Sequence, residues 1–117
     1  MFKFGVDSFI WAEKFSEKDL WIIPKAKELG FEVVDLAIAD PYTFPLEQVL
    51  KTAKEVGIEL VTTTTLGDDT NLISPDDSIR KNGVKAMKKL VDINNALGSK
   101  ILGGVNYAGW GLSLIHI

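Results

Sequence analysis

At 117 residues, with 46% hydrophobic and 25% charged side chains, the chain has the length of one domain and the makeup of a soluble globular protein. A net charge of −3 and a pI near 5.1 give no basic footprint for nucleic acid or an anionic membrane. Cysteine is absent, which rules out disulfides, thiolate nucleophiles and cysteine metal sites. No apolar run approaches a membrane span, and the opening MFKFGVDSF is too short and too acidic for a signal peptide, so the cytoplasm is the expected compartment.

In chain order, FKFGVD reads as an opening strand. Ser16, with Asp19 three residues on, can cap a helix running to about Leu29, and Pro24 should kink or split it. A strand follows, and then a second helix with Pro45 in its first turn, ending near Val56. Ser74-Pro75-Asp76-Asp77 reads as an N-cap serine, a proline at the first helical position and two acids that favour the helix dipole. That third helix is expected to reach Leu97, with Ile79, Ala86, Leu90, Ile93 and Leu97 on its inner side.

Three segments share one grammar of charged helix, glycine and short apolar strand: KAKELGFEVVDLA (25–37), TAKEVGIELVTTT (52–64) and NNALGSKILGGV (94–105). Gly30, Gly57 and Gly98 stand where a helix end needs a left-handed residue. The strands are nearly continuous in Val, Ile and Leu, which predicts cover on both faces. The order β-α-β-α-β-α-β requires a parallel sheet, either an open doubly wound one or half of a (β/α)8 barrel. No G-x-G-x-x-G follows the first strand, so the dinucleotide-binding version loses support.

In both architectures function belongs to the carboxyl ends of the strands. Those ends offer Asp7, Ser8, Phe9, Trp11 and Phe15; Asp35, Asp40 and Tyr42; Thr63 to Thr65, Gly67 to Asp69 and Asn71; and Gly103, Gly104, Asn106, Tyr107 and Trp110. Aromatic rings beside Asp and Asn suit a sugar, whose C–H faces and hydroxyl edges need both. The alternative for Trp11 and Phe15 is that they pack a loop onto the mouth. The four acids between Asp68 and Asp77 lack calcium-loop spacing and read as loop solvation and helix-start charges. TTTT at 62–65 lacks the lysine and glycines of a phosphate loop and suits a strand. Lys14, Lys18 and Lys25 read as solvated, and no Ser-His or Cys-His pair exists.

The stretches FGVDSFIW, AKELGFEVVDL, TNLISPDDSIRKNGVKAMKKLVDINNALGSKILGG and YAGWG closely resemble the N-terminal part of the D-tagatose and D-psicose (allulose) 3-epimerases. These ketose 3-epimerases belong to the xylose isomerase-like TIM barrels. The most specific piece is N-L-x-S-x-D-x-x-x-R-x-x-G at Asn71–Gly83, and the likeness runs from residue 1 to about 111. The resemblance implies the N-terminal half of a (β/α)8 barrel, about four parallel strands and three helices. It also implies a divalent metal (manganese or cobalt, with magnesium as a third choice) held by two glutamates, an aspartate and a histidine. One glutamate removes the C3 proton of a ketose, a cis-enediolate forms on the metal, and a second glutamate returns a proton on the other face. All four ligands have their counterparts beyond the fourth strand, so no catalytic residue or metal ligand is expected in this chain, His116 included. Substrate-binding positions do carry over: Phe15 as the aromatic closing over the sugar, Gly67 near the substrate, Val105 as a small apolar neighbour and Trp110 as a contact. Asp7 stands where some members place an aromatic residue, which keeps sugar-phosphate 3-epimerases and hydroxypyruvate isomerases of the same superfamily in view. A small ketose as the partner and a homo-oligomer at full length are further implications.

The likeness stops at Gly111, and the remaining LSLIHI can be encoded by CTGTCTCTTATACACATC, the mosaic end of a transposon used in sequencing-library adapters. Residues 1–111 are therefore read as a partial barrel and 112–117 as an adapter-derived tail. A half-barrel has open edge strands and should be marginal, molten or self-associating. The rival reading is a genuine short α/β protein that binds a polyol without catalysis or pairs with a second half-barrel.

Overall fold

Val34, Leu36 and Ile38 are buried while Val33, Asp35 and Ala37 between them are only half-buried, and this alternation orients the second strand of the molecule. A computed structural model describes residues 2–111, so the expected adapter tail and His116 fall outside the described residues. Four strands, β1 (Gly5–Asp7), β2 (Val33–Ile38), β3 (Glu59–Leu66) and β4 (Leu102–Gly109), form one parallel sheet in the order β1-β2-β3-β4. Three helices, α1 (Ile22–Glu28), α2 (Leu46–Val56) and α3 (Asp77–Leu97), make the crossovers. This is the expected α/β arrangement of four parallel strands and three helices.

The core lies between one sheet face and the helices. Ile22, Ile23 and Ala26 of α1, Val49 and Ala53 of α2, and Leu90, Ile93 and Leu97 of α3 pack against Val34, Leu36, Ile38 and Leu60. Fully burying a side chain such as Leu36 is worth roughly 1.5–3 kcal/mol relative to exposure. Thr62 and Thr64 also face the helices, and burial there requires partners. The Thr62 hydroxyl donates to Asn94 Oδ1 on α3, and that of Thr64 donates to the Ile38 carbonyl. The expectation of cover on both faces is not met among the described residues. Asp7, Asp35, Thr63 and their register neighbours look away from the helices onto an uncovered face.

The expected opening strand shortens to Gly5–Asp7, leaving Phe2 and Phe4 exposed at the amino end of the sheet. The first helix is split, as Pro24 requires. Ser16 and Asp19 close a capping box on a 3-10 turn at Glu17–Asp19, and α1 then starts at Ile22, with Pro24 in its first turn, where a missing N–H costs nothing. Pro45 immediately precedes α2. The third helix corrects its expectation: Asp76, not Ser74, is the N-cap, and its carboxylate accepts from the Ser78 N–H and hydroxyl. Ser74 is buried instead, its Oγ accepting from Asp76 N while its carbonyl accepts from Arg80. Pro75 therefore lies outside the helix, and Ile79 is only partly buried.

Two glycines decide how closely the layers approach. Gly83 on α3 sits so near the Thr70 carbonyl and Leu72 that a Cβ has no room, which presses α3 onto the β3–α3 loop. Gly104 in β4 has φ +97° and lies against the Thr64 backbone. Gly104→Ala should therefore cost about 2–4 kcal/mol, from a left-handed backbone and a collision together. Gly30→Ala, at φ +94° with open space around the new methyl group, should cost about 1–2 kcal/mol. Urea unfolding of the two variants checks the difference, and equal losses would mean that β4 is not held tightly against β3.

Candidate functional site

Parallel strands bring every carboxyl end to one edge, and here the loops that leave those ends are tied to one another. Asp7 closes β1, and its Oδ1 accepts from Phe9 N at 2.8 Å, which starts a 3-10 turn over Ser8–Ile10. Ser8 is fully buried, and its Oγ accepts from Ala37 N at 3.0 Å, taking over the ladder where β1 stops. Phe15 N donates to the Ala37 carbonyl at 3.1 Å, so the whole 8–15 loop is pinned to one residue of β2. Past β2, Asp40 Oδ1 accepts from Tyr42 N and turns the chain toward α2.

The ends of β3 and β4 are shaped by an irregularity. Thr65 pairs with Val105, but the next residue, Leu66, pairs with Gly109, so residues 106–108 bulge out of register. The chain then returns to β3 through Trp110 N, which donates to the Leu66 carbonyl at 2.8 Å. Trp110 itself is 69% exposed. After β3, Gly67 opens a 3-10 turn at Asp68–Thr70, and Thr70 Oγ1 accepts from Gly67 N.

Between these loops lies a cleft of roughly 840 Å³, within the size range of small-molecule sites. Asp7, Gly67, Val105 and Trp110, four of the five expected substrate-binding positions, line it together. Phe9 and Tyr42 add aromatic surface, Thr63 to Thr65 add hydroxyls and backbone, and Gly104 brings backbone close. Phe15 is placed elsewhere. It is 6% exposed, lies in the core and packs on Phe44 with ring centroids 6.0 Å apart. Trp11 also stays off the cleft, edge-on to Trp21 at 6.1 Å, as the packing alternative anticipated for both residues. Glu13 and Lys14 line the cleft although the sequence marked neither; Lys14 read as merely solvated. Their proximity depends on the Phe15–Ala37 tether, which no local pattern reveals.

Asp7 and Asp35 are register partners on the uncovered face, so two carboxylates stand side by side on adjacent strands. Asp35 Oδ1 is buried and finds no hydrogen-bond partner among the described residues. Burial pushes the Asp35 carboxyl above its ordinary value, the neighbouring charge of Asp7 adds to that, and the Thr63 side chain opposes it. No group of three His, Cys, Asp or Glu stands together among the described residues to hold a metal ion. The ligand set that the resemblance implies, two glutamates, an aspartate and a histidine, is not assembled among the described residues. None of the described helices is long and apolar enough to cross a membrane.

Comparison with known proteins agrees on fold and family. The family model for the xylose isomerase-like TIM barrel matches residues 23–113. L-ribulose 3-epimerase of Mesorhizobium japonicum is 24% identical over 115 residues, covering 97% of this chain and 39% of the relative. Ketose 3-epimerase of Arthrobacter globiformis is 26% identical over 107 residues, covering 91% of this chain and 37% of the relative. The crystal structure of a D-allulose 3-epimerase from Methylomonas sp. superposes with a TM-score of 0.88 at 24% identity, over 96% of this chain and 40% of that one. The chain thus spans about two fifths of the length of the relatives it matches.

The Asp35 environment has a thermodynamic consequence. A carboxyl whose pKa is higher folded than unfolded holds its proton longer in the folded state, so stability falls as pH rises from the ordinary carboxylate value through the raised one. Asp35→Asn removes that loss. The variant's melting temperature should exceed the parent's at pH 7, and the gap should shrink as pH falls below the ordinary carboxylate range. Melting curves between pH 3 and 7 provide the check, and a gap that widens toward acid would refute this account of Asp35.

Proposed function

The chain belongs to the xylose isomerase-like TIM-barrel family, and from that we propose that it is the N-terminal part of a longer sugar isomerase that epimerises a ketose at C3. The observation that carries this reading is the cleft at the strand ends, where Asp7, Gly67, Val105 and Trp110 converge in a chain whose relatives are ketose 3-epimerases. Epimerisation at C3 means removing a proton from one face of the carbon and returning one to the other, with a planar cis-enediolate between. The base and the acid are proposed to be glutamates of the longer protein, which would also supply the ligands of a divalent metal.

This chain's share is to bind and orient. Trp110 offers an aromatic face to the apolar C–H side of the sugar, while Asp7 accepts from hydroxyls. Val105 keeps the floor apolar, and Gly67 lets the sugar approach backbone. The rings of Phe9 and Tyr42 exclude water from the rim. In the same reading residues 112–117 are adapter-derived, and the full-length enzyme is a homo-oligomer.

A genomic read across the codon for Gly111 supplies the complete gene, and its product is assayed with fructose, tagatose and ribulose in the presence of Mn²⁺. Turnover of one ketose is expected. Trp110→Ala should raise KM about tenfold and leave kcat within about threefold, the signature of a binding contact. No turnover on any of the three sugars, or a genomic frame that spells LSLIHI and stops, would overturn the proposal.

A further inference from the structure

Asn71 belongs to the motif that carries the family resemblance and was expected at the ligand-facing strand ends, yet it does not line the cleft. Its side chain is nonetheless the point where the last two strand-end loops meet. Asn71 is 7% exposed, and its Oδ1 accepts two backbone N–H groups. One is Ile73 N at 3.2 Å, a local turn within the β3–α3 loop. The other is Gly109 N at 3.0 Å, a buried bond across 38 residues to the end of β4.

Gly109 is the residue at which the bulged chain rejoins β3, and Trp110 is the next residue. Two bonds fix that return: Trp110 N to the Leu66 carbonyl and Gly109 N to Asn71. Leu66 supplies only backbone, which any residue would offer. Asn71 supplies a side-chain acceptor, and a buried N–H left without one is costly. The acceptor is itself held from behind, because Gly83 lets α3 press against Thr70 and Leu72 on either side of Asn71. A chain of contacts therefore runs from α3 through the loop to the backbone of Gly109, one residue before Trp110.

We infer that Asn71 is the positioning residue for Trp110: by accepting the Gly109 N–H it sets where β4 leaves the bulge, and so where the indole stands over the cleft. It touches no substrate and acts through Trp110. Asp, with the same acceptor oxygen, can replace it, whereas Leu, of similar volume and without an acceptor, cannot.

The test labels the longer protein with 5-fluorotryptophan, and Trp11→Phe, Trp21→Phe and Trp110→Phe assign the fluorine resonances of the three described tryptophans. Asn71→Leu should move the Trp110 resonance and leave those of Trp11 and Trp21 in place, and Asn71→Asp should restore the parent position. An unmoved Trp110 resonance in Asn71→Leu, or failure of Asn71→Asp to restore it, would overturn the inference. If Asn71→Leu does not fold, hydrogen exchange on the parent chain decides. The Gly109 amide should exchange at least about a hundredfold more slowly than the amide of exposed Tyr107, and equal rates would refute the bond. In the longer protein, Asn71→Leu should raise KM with little change in kcat, and Asn71→Asp should reverse the rise. That last arm rests on the epimerase reading, whereas the fluorine and exchange arms do not. An inactive enzyme with a displaced Trp110 would therefore count against the function and leave the positioning role standing.

Discussion

Parallel pairing of the four strands is the constraint from which the rest of the molecule follows. Parallel neighbours cannot be joined by a tight turn, so each connection must cross over, and here each crossover contains a helix. The right-handed rule sends all three crossovers to the same side of the sheet. Hence Val34, Leu36, Ile38 and Leu60 acquire a hydrophobic cover, and Asp7, Asp35, Thr63 and Val105 do not. The same pairing direction gathers Asp7, Ile38, Leu66 and Gly109, the last residues of their strands, at one edge. Core and cleft are thus two consequences of a single choice of strand direction.

The uncovered face explains the electrostatics of the site. In a closed barrel such residues point inward and fill layers contributed by alternate strands. Here Asp7 and Asp35 are adjacent, with one oxygen of Asp35 buried and unpartnered among the described residues. Each loop around the cleft is tethered by a side-chain oxygen: Asp7 to Phe9, Ser8 to Ala37, Asp40 to Tyr42, and Asn71 to Ile73 and Gly109. Short polar residues at strand ends thus serve mainly to hold backbone, which leaves the aromatic rings free to line the opening.

Much of the fold was legible because its signals are local. Gly57 and Gly98 end α2 and α3 in the left-handed region, at φ +71° and +69°, as their places after charged helices required. Pro24 split the first helix because its ring tolerates only the first turn. The start of α3 lies two residues beyond its expected place because Ser74 and Asp76 are both good caps, and only the burial of Ser74, whose carbonyl accepts from Arg80, decides between them. The site was legible by strand end and not by side chain. Asp7, Gly67, Val105 and Trp110 reached the cleft, whereas Phe15 turned into the core against Phe44, and Glu13 and Lys14 came in on its loop.

By itself, then, the sequence determined the element order, the glycine stops, the parallel topology and the edge on which ligands would gather, since periodicity and backbone conformational limits act over a few residues. The tertiary structure alone decided which strand face lost its cover, which ring of the 8–15 loop turned inward, and that Asn71 would meet Gly109 across 38 residues. Those outcomes depend on which atoms compete for the same buried space and the same hydrogen-bond partner. That competition arises only when distant segments are brought together.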